Sequence, residues 1–294
     1  MKLPFPHPLK GLLFVLTAAM LWALSATTAK FLFNNQVSPW DLTQMRLVFS
    51  ALFLGLYLAW RNHGLLRIEC GDIGYMMIFG ILGVSAMQFT YFFTISQTNV
   101  ATAVFLEYLA PIFILVYEII NGRENPDWTR ILPVFIATLG GFMIVKGRTG
   151  QGMAVTPVGL VSGIGSALAF AFYILYSRRG LAKYSSWTVL FWGYAIGGLA
   201  WTLNGLPWVT FLNYDATTWL YFIYIAIFAT ILPAGFFFKG LTLLSPVAAG
   251  VTSTLEPVAA GFLAFLLLGE HMTGMQVMGS LLIVAAITVI QLRG

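Results

Sequence analysis

Charged residues make up only 9% of this 294-residue chain, while hydrophobic ones make up 59%. An ordinary soluble domain carries roughly 25% charged residues, so a water-soluble surface cannot be built here. The few charges fall almost entirely between apolar runs, as expected if those runs lie in hydrocarbon. Cysteine occurs once, as Cys70, which excludes an intrachain disulfide and any multi-Cys metal centre. The three histidines, His7, His63 and His271, lie at the N-terminus or in connecting segments, without the His-Glu-x-x-His spacing that holds zinc on a helix. Neither a Gly-x-Ser-x-Gly elbow nor a Gly-rich phosphate loop ending in Lys and Ser or Thr is present, so serine hydrolysis and ATP hydrolysis both lack their usual apparatus. No channel-type selectivity filter is evident, and the connecting segments are too short to hold a folded soluble domain. The expectation is a non-enzyme without metal or cofactor.

What remains is apolar sequence in long stretches, near residues 11–33, 40–60, 73–96, 100–120, 129–146, 157–177, 187–203, 217–239, 247–268 and 272–292. Most suit a helix crossing ~30 Å of hydrocarbon with some tilt, and they are too long for barrel strands. Turn formers separate them: Asn34-Asn35, Asn62-His63-Gly64, Asn121 to Pro126, Gly147 to Gly152, and Asn204 to Pro207. Lys2 and Lys10 before the first run resemble the opening of a signal peptide. That run continues to about Phe33, beyond the ~7–15 residues of a signal core, and is read as a retained span. The net charge of +5 is scattered one to three residues per loop and forms no stripe for nucleic acid.

Basic residues set the orientation. With a cytoplasmic N-terminus, that side holds Lys2, Lys10, Arg61, Arg67, Arg123, Arg130, Arg178, Arg179, Lys183, Lys239 and Arg293, against Lys30, Lys146 and Arg148 outside. Both termini are then cytoplasmic and the membrane is the cytoplasmic one.

One segment is written twice. Leu109, Pro111 and Glu124 recur as Leu255, Pro257 and Glu270, each 146 positions on and without a gap. Weaker matches set Gly11 on Gly159 and Ser38-Pro39-Trp40 on Ser185-Ser186-Trp187. The repeat is half the chain, far longer than a solenoid unit. With five spans per half, an odd number, the second half enters the membrane upside down. The expected fold is an all-α integral membrane protein with ten transmembrane helices as two inverted-topology five-helix repeats, divided at 1–151 and 152–294.

The run from Ser253 through Leu255-Glu256-Pro257 to Gly269-Glu270, with its partner Phe105-Leu-Glu-Tyr-Leu-Ala-Pro111, resembles the two repeat signatures of the drug/metabolite transporter superfamily, EamA family. The resemblance covers essentially the whole chain. It departs at Asn121-Gly122-Arg123-Glu124, where the first copy lacks the Leu-Gly-Glu form of the second. The resemblance implies a substrate pocket between the halves near mid-membrane, alternating access by rocking helices, and a peripheral supporting helix closing each half. Family members export amino acids, drugs and other metabolites, and a few import.

Ionisable groups inside spans are costly and need a reason. Glu118 and Lys239 lie in the last turn of their spans and can snorkel to water. Arg46 sits about two turns, roughly 9 Å, from its span's outer end and is read as a snorkelling or pairing residue, with Asp41 the nearest acid, rather than as a ligand. Glu107 and Glu256 lie mid-helix with no adjacent base. In repeat register Glu256 falls on Ala110, so the carboxyls are one turn apart on equivalent faces. Either they exchange a proton or hold a substrate amine, or they are hydrogen-bonded carboxyls tying helices together through neighbours such as Ser253.

Aromatics form the second constellation, at 16% of the chain. Trp40, Trp60, Trp128, Trp187, Trp208 and Trp219 lie at span ends as an interfacial belt. Deeper, Trp22 and Ser25 align with Phe170 and Tyr173, and Gln88 and Tyr91 with the region of Phe237. Each is read either as packing or as part of a pocket for a planar or cationic substrate. The Gly-x-x-x-Gly pairs at Gly159 and Gly163 and at Gly193 and Gly197 serve close helix packing. The combined expectation is a secondary transporter effluxing an amino-acid-like or amphipathic metabolite. Its pocket is lined by Trp22, Gln88, Tyr91, Glu107, Phe170, Tyr173, Phe237, Thr252 and Glu256. A proton is the candidate coupling ion, and the chain is a monomer or homodimer in the lipid bilayer, without nucleic acid. Import of a cationic amine is the runner-up, ahead of a membrane-embedded enzyme or scaffold.

Overall fold

Helix starts in this chain are marked by capping residues. Ser38, Asn99, Asp127, Thr156, Ser185, Asp215 and Ser245 each accept a hydrogen bond from a backbone N–H of the first turn, satisfying donors that a helix leaves orphaned at its N-terminus. Proline follows three of these caps, as Pro39, Pro157 and Pro246, where its missing N–H costs nothing. The sequence alignment of Ser38 with Ser185 is thus one cap on another.

The computed structural model describes residues 8–123, 127–147, 156–203, 213–268 and 272–293. Glu124 and Glu270, which close the duplicated motif, lie outside these residues. So do Lys2, His7, Arg148, Trp208, His271, the Asn204 to Pro207 break, residues 124–126 of the Asn121 to Pro126 break, and the linker after Gly147.

Each apolar stretch read from the sequence is helical. Eight helices are long and apolar enough to cross a membrane among the described residues. These are α1 (Pro8–Asn34), α2 (Pro39–Arg61), α3 (Cys70–Gln97), α4 (Val100–Ile120), α5 (Trp128–Lys146), α6 (Pro157–Leu181), α8 (Ala216–Leu241) and α10 (Gly274–Arg293). Two more fall short of that measure. One is α7 (Ser186–Thr202), at 17 residues. The other, α9, comes in two pieces, Pro246–Ser253 and Glu256–Leu268.

The duplicated Leu-x-Pro has a visible consequence. α4 is interrupted after Glu107 and resumes at Ala110, just as α9 stops at Ser253 and resumes at Glu256. Proline has no N–H to give the carbonyl four residues back, so Pro111 and Pro257 leave the carbonyls of Glu107 and Ser253 without that bond. Both breaks are bridged by a tighter i to i+3 bond, Leu109 N–H to Leu106 and Leu255 N–H to Thr252, each at 3.2 Å. A second pair of irregularities is matched as well. α3 and α8 each contain a π-helical turn, at Phe79–Ser85 and Ile227–Ile231.

Helices pack across the halves. α1 runs along α8, α3 along α6, α2 against α7 and α5 against α10. Replacing every helix by the one five places on leaves this set of pairs unchanged. Small residues permit the close approaches: a Cβ on Gly163 would fall 2.4 Å from Leu106, and one on Gly193 would fall 2.8 Å from Val84. Backbones touch most closely between α5 and α10. A Cβ on Gly140 would lie 2.6 Å from the Gly279 carbonyl oxygen, and one on Gly279 would lie 2.5 Å from that of Gly140. These two helices are also the least covered of the eight spans, 39% and 28% buried. The family resemblance implies a peripheral position for these two helices. Large apolar side chains such as Phe135, Val161 and Leu281 point outward, as a lipid-facing surface requires.

The Gly140–Gly279 crossing tests this packing. Gly140→Ala and Gly279→Ala should each lower thermal stability in detergent by the equivalent of about 1–3 kcal/mol. Gly74→Ala, whose Cβ meets nothing within 4 Å, should leave it unchanged or raise it. Equal melting of all three variants would contradict a backbone-to-backbone crossing.

Candidate functional site

Six helices line one internal cavity of about 40 Å³, room for a few waters rather than for a metabolite. α1 contributes Trp22 and Ser25, α2 Arg46, and α3 Met87, Gln88 and Tyr91. α4 contributes Glu107 and Tyr108, α6 Phe170 and α9 Glu256.

The helix breaks place the carboxyls. Glu107 is the last residue before the break in α4, whereas Glu256 is the first residue after the break in α9. Their three-residue offset in the repeat is therefore the step from one side of the interruption to the other. A carboxylate at a helix N-terminus is favoured by the helix dipole and one at a C-terminal end is not, so the two groups differ electrostatically.

Each carboxyl is held from the opposite half. Ser166 Oγ of α6 donates to Glu107 Oε1 at 3.0 Å, and Tyr108 OH of α4 donates to Glu256 Oε2 at 2.6 Å. The expected helix-tying role is thus present in the same groups that line the cavity, but Ser253 has no part in it. The Ser253 hydroxyl turns back to the Gly250 carbonyl at 2.7 Å.

Arg46 departs from expectation. Rather than snorkelling to water it is buried, with Nε donating to Thr230 Oγ1 and Nη2 to the Ala229 carbonyl at 3.0 Å. Both acceptors belong to the π-helical turn of α8. The guanidinium also lies 4.9 Å from the Phe92 ring centroid. Asp41, its expected partner, accepts from Tyr214 OH at 2.7 Å. Glu118 likewise does not reach for water, being buried and 3.4 Å from Arg123. Lys239 lies between the rings of Phe14 and Trp187.

Of the nine expected lining residues, the structure brings six to the cavity: Trp22, Gln88, Tyr91, Glu107, Phe170 and Glu256. Tyr173 and Phe237 form the layer behind, Phe237 at 5.3 Å from Trp22 and Tyr173 stacked at 6.2 Å from Phe170. Thr252 is not at the wall. Its hydroxyl accepts from Gln291 Nε2 of α10 at 3.1 Å. Arg46, Ser25, Met87 and Tyr108 complete the lining. Ser25 carried a signal, its i to i+3 spacing from Trp22. Met87 and Tyr108 carried none beyond adjacency to Gln88 and Glu107. Two buried lining atoms, Ser25 Oγ and Gln88 Oε1, have no hydrogen-bond partner among the described residues.

Ties between the halves lie at both ends of the bundle. At the start of α3, Asp72 accepts from Lys183 Nζ at 2.7 Å and Tyr184 OH at 2.6 Å, with Glu69 also on Lys183. Asp72 and then Glu69 hold Lys183 charged beyond the ordinary lysine range. At the other end Tyr214 bridges Asp41 and the Ser38 N–H, and burial followed by the Asp41 carboxylate pushes its phenol up to about 12.

The chain matches the EamA-like transporter family twice, over residues 9–146 and again over 157–292. It belongs to that family. An uncharacterized inner membrane transporter of Salmonella typhimurium, YicL, is 29% identical across 96% of this chain and 95% of its own. The threonine/homoserine exporter RhtA of the same species is 27% identical across 97% and 91%, and that of Escherichia coli K12 is 26% identical across 89% and 84%. A solved crystal structure shares the fold, with a TM-score of 0.76 over 96% of each chain at 20% identity. This EamA-family chain is accordingly a multi-pass membrane protein among transporters rather than enzymes.

The two kinds of lining polar group should separate by mutation. Tyr108→Phe and Ser166→Ala remove donors from buried carboxyls and should cost about 1–3 kcal/mol of stability. Ser25→Ala and Gln88→Met remove groups that the protein leaves unmatched and should leave melting unchanged or raised. Thermal unfolding in detergent reads the difference, and loss of stability in Ser25→Ala and Gln88→Met equal to that in Tyr108→Phe would refute it.

Proposed function

We propose that this chain is a secondary active transporter that exports a small amino-acid-like metabolite by alternating access. It works as ten spans in two inverted five-helix repeats, 1–151 and 152–294, with both termini cytoplasmic. The observation that carries the reading is the cavity itself, where a carboxyl from each half and a buried guanidinium line one space among aromatic walls. The space as it stands holds only a few waters, but its lining groups, once alternating access widens it, suit a molecule bearing both an ammonium and a carboxylate.

Several features support the arrangement. The matched breaks of α4 and α9, the matched π turns of α3 and α8, and a helix pairing that survives exchange of the halves are what an inverted duplication would produce. The eleven-to-three distribution of basic residues favours cytoplasmic termini. The relatives named threonine/homoserine exporters favour efflux of a short polar amino acid. A proton exchanging at Glu107 or Glu256 is the coupling ion in this reading. Import of a simple cationic amine is disfavoured because it would bring no anionic group to Arg46.

Counterflow in proteoliposomes tests the reading. Vesicles preloaded with L-threonine or L-homoserine should accumulate labelled amino acid saturably, and an imposed pH gradient should alter the rate. Glu107→Gln and Glu256→Gln should each reduce uptake by about tenfold or more, the weight of a charge-assisted hydrogen bond. Saturable transport with intact pH dependence in both variants would remove the carboxyls from the mechanism. Conductance at channel rates would exclude a carrier.

A further inference from the structure

Arg46 is the charge of the cavity that the sequence explains least. A buried guanidinium is expensive unless its donors are met and its charge is balanced. Its two hydrogen bonds go to neutral oxygens, Thr230 Oγ1 and the Ala229 carbonyl. Neither cavity carboxyl takes one, since Glu107 accepts from Ser166 and Glu256 from Tyr108.

The anchoring is specific. In the π turn at Ile227–Ile231 the Thr230 hydroxyl donates to the Ile225 carbonyl at 2.8 Å, which leaves its oxygen turned to accept from Arg46 Nε. Together with the Phe92 ring face, these contacts fix the plane of the guanidinium. Of five N–H donors, two are used, and the rest of the fork belongs to a side chain that lines the cavity. A planar fork held in this way matches a carboxylate in bidentate geometry.

A second observation points to the same ligand. Gln88 Oε1 and Ser25 Oγ are buried in the cavity wall without a partner among the described residues. An acceptor of this kind, beside two carboxyls, suits an ammonium. Such a ligand has no net charge, so it enters the cavity without altering its charge balance.

We propose that Arg46, anchored by the π turn of α8, is the carboxylate-binding residue of the cavity, and that it makes the chain selective for zwitterionic α-amino acids over amines and amino-acid amides. The assignment rests on reading the cavity as the site of an amino-acid-like substrate. It goes further in giving one residue the discrimination.

The test is competition in the counterflow assay with the full-length protein. The probes are L-threonine, L-threonine amide and the amino alcohol left when the carboxyl group is removed. In the wild type the acid should compete about 10- to 100-fold better than the amide or the amino alcohol, the range of charge-assisted hydrogen bonds. In Arg46→Gln that preference should collapse to within about twofold, while residual binding of the amide is retained. Arg46→Lys keeps the charge without the fork and should give an intermediate preference. Thr230→Val, which removes the anchor, should also weaken it. A general structural role for Arg46 would lower uptake without changing the ratio. An acid-to-amide ratio in Arg46→Gln equal to that of the wild type overturns the assignment. If Arg46→Gln does not insert, an unchanged ratio in both Arg46→Lys and Thr230→Val overturns it equally. Absence of any saturable amino-acid counterflow in the wild type would instead defeat the reading of the cavity on which the assignment rests.

Discussion

Two carboxyls and a guanidinium sit inside a bundle whose outer face is hydrocarbon, and the cost of removing them from water governs what surrounds them. Each needs hydrogen-bond partners, which are side chains for the carboxyls, Ser166 and Tyr108, and a π turn for the guanidinium. Irregular backbone lies beside all three. The interrupted α4 and α9 bring Glu107 and Glu256 to the ends of half-helices, and the π turn of α8 presents the oxygens that hold Arg46. Within a membrane such irregularity is tolerated only where protein or a cavity, not lipid, meets the exposed backbone groups. Site and deviations from regular helix therefore occupy the same depth of the fold.

Partners for these groups are drawn across the duplication. Ser166 of the second half holds Glu107 of the first, Tyr108 of the first holds Glu256 of the second, and α8 holds Arg46 of α2. The end ties, Asp72 with Lys183 and Asp41 with Tyr214, follow the same rule. Neither half satisfies its own cavity charges, which makes the assembled pair the smallest unit in which all three are met.

How much of this could be read in the sequence depended on whether a feature leaves a local trace. Proline's missing N–H does, so the Leu-x-Pro copies located both helix breaks. An acid inside an apolar run is conspicuous, and Glu107 and Glu256 stood out for that reason. Arg46 was equally conspicuous, yet its neighbours suggested Asp41, while its acceptors lie 183 and 184 positions away. The π turns are written in ordinary apolar residues and left no sign. Thr252 lies one turn before Glu256 and would share its face on a continuous helix. The interruption at Thr254 and Leu255 separates the two, and Thr252 turns to Gln291 instead. Tyr108 was hidden for a related reason, since it becomes a donor to Glu256 only through the geometry of the break beside it.

The crossing of α5 and α10 at Gly140 and Gly279 bears on how such a bundle can move. At other glycine crossings, such as Gly240 against the Gly11 carbonyl, the backbones stand further apart. At this crossing each carbonyl oxygen faces the opposite glycine, with the side chains of Ile283 and Ile144 beside it. Translation along either helix would drive backbone into backbone, whereas rotation about the point of contact would not. These two helices thus meet at a fixed point, and they are the least covered of the eight spans.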